Sequence, residues 1–294
     1  MRFPSPACCT LFLLLVSNTN FGDASTRVST TSPSTTSTTS SFLHENSEIL
    51  TPSSALAFDA AAADDDDDNE VVSLTSSICT DAASLASDFQ KALVVMNQQK
   101  DDIHVGHLLS ACEGLEATMR RIGFAQGASD IAANLSKIRT VYHQVSPDKR
   151  DSMPEILQYE KTMMMTDSKA IKDTSATMGL LWLGRSLNYQ YDMFQQLLLD
   201  VNVQPYEAAY CAYERNMKPH LSWPLQKVCQ VALKKLKVLR RERMLACIGG
   251  FSEECYGACE DQATRHDLQR VVRCLEPMLG RWRQVFSDMG LGDI

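Results

Sequence analysis

The sequence predicts an all-α domain of about eight helices over residues 73–294, behind an N-terminal stretch with no fold of its own. Three observations predict it. Apolar residues recur three and four positions apart through the whole body, the spacing of one helix face. No convincing period-two series, the mark of a half-buried strand, interrupts them. Proline stands at the start of several of these stripes, where a helix tolerates its missing N–H.

The first stripe is Leu74, Ile78, Leu85, Phe89, Ala92, Leu93 and Met96, within Ser73 to about Gln98. Leu108, Cys112, Leu115, Met119 and Ile122 make the second. The third runs from about Ala125 to Tyr142 around Ile131, Leu135 and Ile138, and Pro154 opens a short fourth through Met165. Asp173 or Thr174 is placed to cap a long fifth through Leu199, dense in Leu and aromatic residues. Pro205 opens a sixth through about Asn216, and Pro224 a seventh with Leu225, Val228, Val231, Ala232 and Leu236 on one side. The last carries Leu268, Val271, Val272, Leu275, Met278, Leu279, Trp282 and Phe286.

The net charge of −8 resides entirely ahead of this body. Residues 71–294 balance to zero, which argues against a nucleic-acid binder, since that would show a basic excess. Arg2 followed by the apolar run Cys8–Val16 and the small residues Gly22 and Ala24 has the layout of a targeting segment, residues 1–24, too short to span a bilayer. Across Ser25–Ser54, 18 of 30 residues are Ser or Thr, too few apolar groups to order themselves, and Asp64–Asp68 follows as a self-repelling spacer. Residues 25–72 therefore read as a linker, with an organelle address or an O-glycosylated stalk as alternatives.

Cys79, Cys112, Cys211 and Cys229 fall on apolar helix faces, where a thiol acts as a small hydrophobe. Cys247, Cys255, Cys259 and Cys274 cluster near the C-terminus with His266, but lack the paired knuckles of common zinc modules; free thiols, a local disulfide and zinc stay open, in that order. No metal or cofactor is expected.

Three places concentrate chemistry. Asp130, Asn134 and Lys137 lie at i, i+4 and i+7, within about 60° of one another on a helix. An anion, an amide and a cation in a row make poor core and a good row of acceptors and donors for a polyhydroxylated ligand; a solvated polar stripe has the same spacing. Thr177-Met178-Gly179-Leu180-Leu181-Trp182-Leu183-Gly184-Arg185 sets an indole, a flat apolar plate with one N–H, between two helix-weakening glycines that suit close approach of a backbone or ligand. Ala212 to Trp223 places His220 and Trp223 at a helix connection, for hydrogen bonding and for an interfacial anchor respectively.

In this order and at these distances, Asp-x-x-x-Asn-x-x-Lys, Gly-Leu-Leu-Trp-Leu and Ala-Tyr-Glu with the following His and Trp resemble the glycolipid transfer protein family. Ala111-Cys112-Glu113-Gly114-Leu115 and Met289-Gly290-Leu291 are similar to family sequence too, so the resemblance spans about residues 75–294. It implies a two-layer helical sandwich whose layers part to hold lipid chains in an apolar cavity. By position, Asp130, Asn134 and Lys137 would hydrogen-bond a sugar headgroup, Trp182 would stack on it, and Asp130 with a His would hold the ceramide amide. The implied protein is a monomeric, non-enzymatic carrier of sphingolipids between membranes.

Two departures from the family pattern matter. The family's functional His stands two residues before the aromatic, where this chain has Leu221, and His220 sits one place earlier. The family's phosphate-headgroup branch has Arg at the Trp182 position and one turn before it, where this chain has Met178. The expected ligand is therefore a neutral glycosphingolipid such as glucosyl- or galactosylceramide, with a ceramide-1-phosphate carrier or a lipid sensor acting through the Ser/Thr-rich tail as alternatives. An enzyme is disfavoured, because no G-x-S-x-G, phosphate loop or H-E-x-x-H occurs.

Between Tyr213 and Arg243 stand nine Lys or Arg against Glu214 and Glu242, a patch suited to an anionic membrane surface with Trp223 and Lys227 in contact. The resemblance implies work on cytosolic membrane faces, whereas the first 24 residues read as an export signal. Asn134-Leu135-Ser136 is an N-glycosylation sequon inside the expected headgroup site, which weighs against a lumenal location.

Overall fold

The computed structural model describes residues 80–98, 102–164 and 172–294; the expected targeting segment and linker, residues 73–79 of the first predicted helix, Cys79 and Met165 of the fourth lie outside the described residues. The described chain is an all-α helical sandwich. Nine α-helices follow in order: α1 (Asp81–Gln98), α2 (Val105–Arg121), α3 (Ala125–Tyr142), α4 (Met153–Met164), α5 (Ala176–Leu199), α6 (Pro205–Asn216), α7 (Trp223–Lys234), α8 (Arg241–Gly249) and α9 (Ala258–Asp288). Short 3-10 turns at Lys218–His220, Lys235–Val238 and Glu253–Cys255 join the later ones.

The helices α1, α2, α3, α5 and α9 pack in a closed cycle, with α9 returning onto α1, and α6 leans on α5. Inside this cycle Phe89, Leu108, Met119, Ile131, Ile138, Phe194, Trp282 and Phe286 are fully buried. Each such side chain contributes about 1.5–3 kcal/mol of burial. The long α5 is the hub, touching α3, α4, α6 and α9, and it carries the Trp182 motif. Its close approach to α3 needs Gly179: a Cβ there would lie 2.9 Å from the backbone oxygen of Asn134 and 3.1 Å from Lys137 Cβ.

The structure moves the start of α5. Neither Asp173 nor Thr174 caps it. Ser175 is the N-cap and accepts from the Met178 N–H at 3.0 Å. The carboxylate of Glu160, reaching across from α4, accepts the N–H groups of Ala176 and Thr177 at 2.7 Å each and the Thr177 hydroxyl at 2.6 Å. A tertiary neighbour thus satisfies donors that a local cap would otherwise serve, and Asp173 is left to pair with Lys137 at 3.7 Å.

Helix α8 is an addition to the predicted set. Nine residues cannot hold a helix alone; α8 persists because Met244, Leu245 and Ile248 are buried against α9, α1 and α2. It stops at Gly250, whose φ of 82° is left-handed backbone. The buried Arg241 guanidinium donates to the Leu197 carbonyl in the last turn of α5. Helix α9 begins ten residues before its first predicted apolar position, its opening turn held by the Glu260 carboxylate accepting the Gly257 N–H at 3.0 Å.

The seven described cysteines are free thiols. Cys112 and Cys274 are buried and Cys229 is partly buried, but Cys211 is exposed, because α6 turns Ala208, Ala209, Ala212 and Tyr213 inward instead. Among the described residues no group of three or more His, Cys, Asp and Glu side chains is arranged to hold a metal.

Candidate functional site: a polar mouth on an apolar cavity

A cavity of about 120 Å³ opens between α3, α5, α6 and α7. Phe124 and Ile131 line it from α3 and its approach, Tyr189 from α5, Tyr213 from α6, and Leu225, Ala232 and Leu233 from α7. Asp130 and Trp182 line it together with Ser186, so two of the residues singled out in the sequence meet at a polar end of a largely apolar space. The Ser186 hydroxyl donates to Asp130 Oδ2 at 3.4 Å.

Burial pushes the Asp130 carboxyl up to about 6; the Lys137 ammonium and the Ser186 hydrogen bond oppose this and leave the net shift upward. At neutral pH Asp130 is therefore a carboxylate held in a partly desolvated wall, a strong acceptor short of donors.

Asn134 and Lys137 do not line the cavity. Asn134 lies under the α3–α5 contact, 2% exposed, with its Nδ2 unpartnered. That burial answers the sequon: a glycan on Asn134 and this fold exclude one another. Lys137 stands between Asp173 and the field of Asp130.

The structure does not bring His220 to the cavity wall; Leu221 lines it instead. His220, half-buried in its 3-10 turn, lies in the field of Arg185 and Asp293. Burial and the Arg185 charge hold its imidazole below the ordinary value, with Asp293 opposing, so it is neutral at pH 7.

The sequence reading missed Arg185 and the C-terminus. The Arg185 guanidinium stacks 4.8 Å above the Trp182 ring and donates to the Asp293 carbonyl from Nε at 3.1 Å and Nη2 at 2.8 Å. Burial pulls its pKa down to about 10, against the pull of Asp293, so the group stays charged at pH 7. Ile294 packs on Gly184, where a Cβ would lie 3.0 Å from it. The second glycine of the Trp182 motif, expected to admit a backbone or a ligand, admits the Ile294 side chain instead.

On α7 the Trp223 side chain is 69% exposed with the Lys227 ammonium 5.7 Å from its ring; Val231 later on the helix and Val238 in the 3-10 turn after it are exposed too. The nine-base patch is smaller than its sequence suggests. Arg241 is buried, Lys218 is bound by Glu214, Arg215 pairs with Asp192 at 4.0 Å, and Arg243 pairs with Glu253 at 3.6 Å. Lys227, Lys234, Lys235, Lys237 and Arg240 are exposed with no acidic partner among the described residues.

The sequence model of the family described as Glycolipid transfer protein (GLTP) matches residues 103–249. The glycolipid transfer protein of Danio rerio is 31% identical over 121 residues, which cover 37% of this chain and 53% of that protein. Glycolipid transfer protein 1 of Arabidopsis thaliana is 26% identical over 189 residues, 63% of this chain and 85% of that protein. The chain spans about half the length of the first curated relatives it matches. Among solved structures, apo mouse ceramide-1-phosphate transfer protein superposes with a TM-score of 0.59 at 18% identity, over 72% of this chain and 98% of that one. The GLTP-fold structure of FAPP2, described as selecting simple glycosphingolipids, gives 0.58 at 19% identity, over 74% and 97%. At such identity the superpositions establish the fold. With half of the sequence under the family model and a like helical architecture over about three quarters of the chain, the chain belongs to the glycolipid transfer protein family.

Proposed function

We propose that residues 73–294 form a non-enzymatic carrier that moves sphingolipids with neutral sugar headgroups between membranes, with residues 1–24 as a targeting segment and 25–72 as a linker. The observation that carries this reading is the pairing of Asp130 with Trp182 at the mouth of an apolar cavity. A carboxylate accepts from sugar hydroxyls and an amide N–H, while an indole face covers the apolar side of a sugar ring. Asn134 and Lys137, just behind, extend the donor set once a ligand loosens the α3–α5 contact. Among the described residues the cation against the Trp182 ring is Arg185, already engaged by the Asp293 carbonyl, and Met178 stands one turn before the indole. A phosphate would find no free pair of guanidinium groups there.

The cavity as it stands holds a group of about benzene size, so chain entry must widen it. Helix α7 is the wall to move, since only Leu233 on it is fully buried. Each CH₂ then kept from water contributes about 0.8 kcal/mol. Carriage breaks no bond and needs no cofactor. The test is vesicle-to-vesicle transfer of labelled galactosylceramide and of ceramide-1-phosphate. Transfer of the sugar lipid should be at least about tenfold faster, the factor lost when a charged group goes unpaired. Faster phosphate-lipid transfer overturns the headgroup assignment, and transfer of neither overturns the carrier.

The exposed Trp223, Lys227 and the lysines at and after the end of α7 form the surface that meets the membrane, transiently and as a monomer; among the described residues no helix is long and apolar enough to cross one. Trp223→Ala should weaken binding to anionic vesicles several-fold, and each of Lys234, Lys235 and Lys237 changed to Gln should cost about 1 kcal/mol of it. Thermal unfolding should not shift, because these side chains are exposed. Undiminished vesicle binding by the Trp223 variant removes the anchor.

A further inference from the structure

The cavity wall contains a second polar place that the headgroup does not explain. Trp182, Ser186, Tyr189 and Gln190 stand at i, i+4, i+7 and i+8 on α5, one face of the helix, and all four line the cavity. Trp182 and Ser186 belong to the mouth with Asp130. Tyr189 and Gln190 lie about one turn beyond Ser186 and about 10–12 Å beyond Trp182 along the helix axis, among the apolar residues that would sheath a chain. They are 6% and 2% exposed, and both Tyr189 Oη and Gln190 Oε1 are buried without a hydrogen-bond partner. The Tyr189 ring is held 6.5 Å from that of Phe124, against the apolar wall. Burial, with Cys229 adding to it, pushes the phenol well above its ordinary value, so it stays a neutral donor.

A hydrocarbon chain satisfies neither atom. An unpaired donor and an unpaired acceptor on one wall complement a hydroxyl group, which accepts one hydrogen bond and donates one. We propose that Tyr189 and Gln190 form a subsite for a hydroxyl carried on the lipid's hydrocarbon portion, so that the preferred ligand is a chain-hydroxylated ceramide lipid. This rests on the cavity being the chain slot of a carrier. The hydroxyl reaches the subsite from either the acyl chain or the sphingoid base, since both enter below the amide.

The experiment uses the full-length protein and three glucosylceramides matched in chain length: one without a chain hydroxyl, one with a 2-hydroxyacyl chain, and one with a 4-hydroxysphinganine base. Each competes, unlabelled in vesicles, against transfer of labelled galactosylceramide. At least one hydroxylated lipid should compete about tenfold better than the plain one, equivalent to about 1.4 kcal/mol, and the arm that does so names the source. The double change Tyr189→Phe with Gln190→Leu should bring that ratio to about one; should it fail to fold, Tyr189→Phe alone, which keeps the ring, reads the same ratio. Equal competition by all three lipids, or a preference unchanged in the variants, overturns the subsite while leaving the carrier standing. Competition by none of them overturns the carrier and the subsite together.

Discussion

Replacing Asp130 by Asn should stabilise the domain at pH 7.5 by about 2 kcal/mol and slow galactosylceramide transfer on the order of a hundredfold. The two effects have one cause. The Asp130 carboxyl titrates near 6 in the folded protein because burial disfavours its ionised form, against an ordinary value of 3.8. The native state then binds a proton that the unfolded chain has already released between about pH 4 and 6. Stability consequently falls as pH rises through that window, and the full cost of the buried charge persists above it. Asn carries no charge and removes that cost, less whatever the Lys137 and Ser186 contacts returned. In urea titrations the gain should appear at pH 7.5 and vanish at pH 4; a variant less stable than the parent at pH 7.5 overturns the account. In the proposed carrier the carboxylate that costs stability is also the acceptor for the ligand, so wild-type transfer should fade as pH drops below about 6, where it protonates.

The second large effect is on folding. Glu160→Ala should destabilise the domain by about 3–5 kcal/mol, because two backbone N–H groups and a hydroxyl lose their shared acceptor inside the protein. Glu160→Gln, which keeps one acceptor oxygen but turns an NH₂ toward the same donors, should cost about half as much. Domains of this kind have about 5–15 kcal/mol in total, so the Ala variant sits near the threshold. Urea midpoints should fall with little change in slope, as expected for lost native interactions. A shift under about 1 kcal/mol for Glu160→Ala would show that water or Ser175 replaces the carboxylate. Trp182 sits on the same helix less than two turns on, so lipid transfer should decline in step with the loss of this cap.

The legible parts of the fold share a property. Helix α3 and helix α6 begin and end where their own residues say, with Pro205 opening α6 and the apolar stripe of α3 running its whole length. Those instructions are local and need no partner. Helix α8 was illegible because its nine residues owe their shape to α9, α1 and α2. The N-cap of α5 was misplaced for a similar reason: Asp173 and Thr174 are plausible caps, but the deciding acceptor, Glu160, arrives from sixteen residues upstream of Ala176. Cys211 looked inward only because its neighbours in sequence are apolar.

The site divides the same way. Asp130 and Trp182 were singled out separately, one in a polar row with Asn134 and Lys137 and the other between two glycines, and only the family resemblance put them in one site. Tyr189 and Gln190 were hidden in a run of bulky residues, where an aromatic usually means core. Arg185 and the C-terminal Asp293 lie far apart along the chain and meet only when α5 and the end of α9 are folded together.

By itself, the sequence determined the all-α class, the charge separation between tail and body, and the residue types able to hold a sugar and a lipid chain. Periodicity and composition are properties of neighbours along the chain, so they survive without a fold. Only the tertiary structure decided which of those groups share a cavity, which are sealed beneath a helix contact like Asn134, and which atoms are left buried without a partner. Burial and hydrogen-bond satisfaction depend on what packs opposite, and that is set by contacts between distant segments.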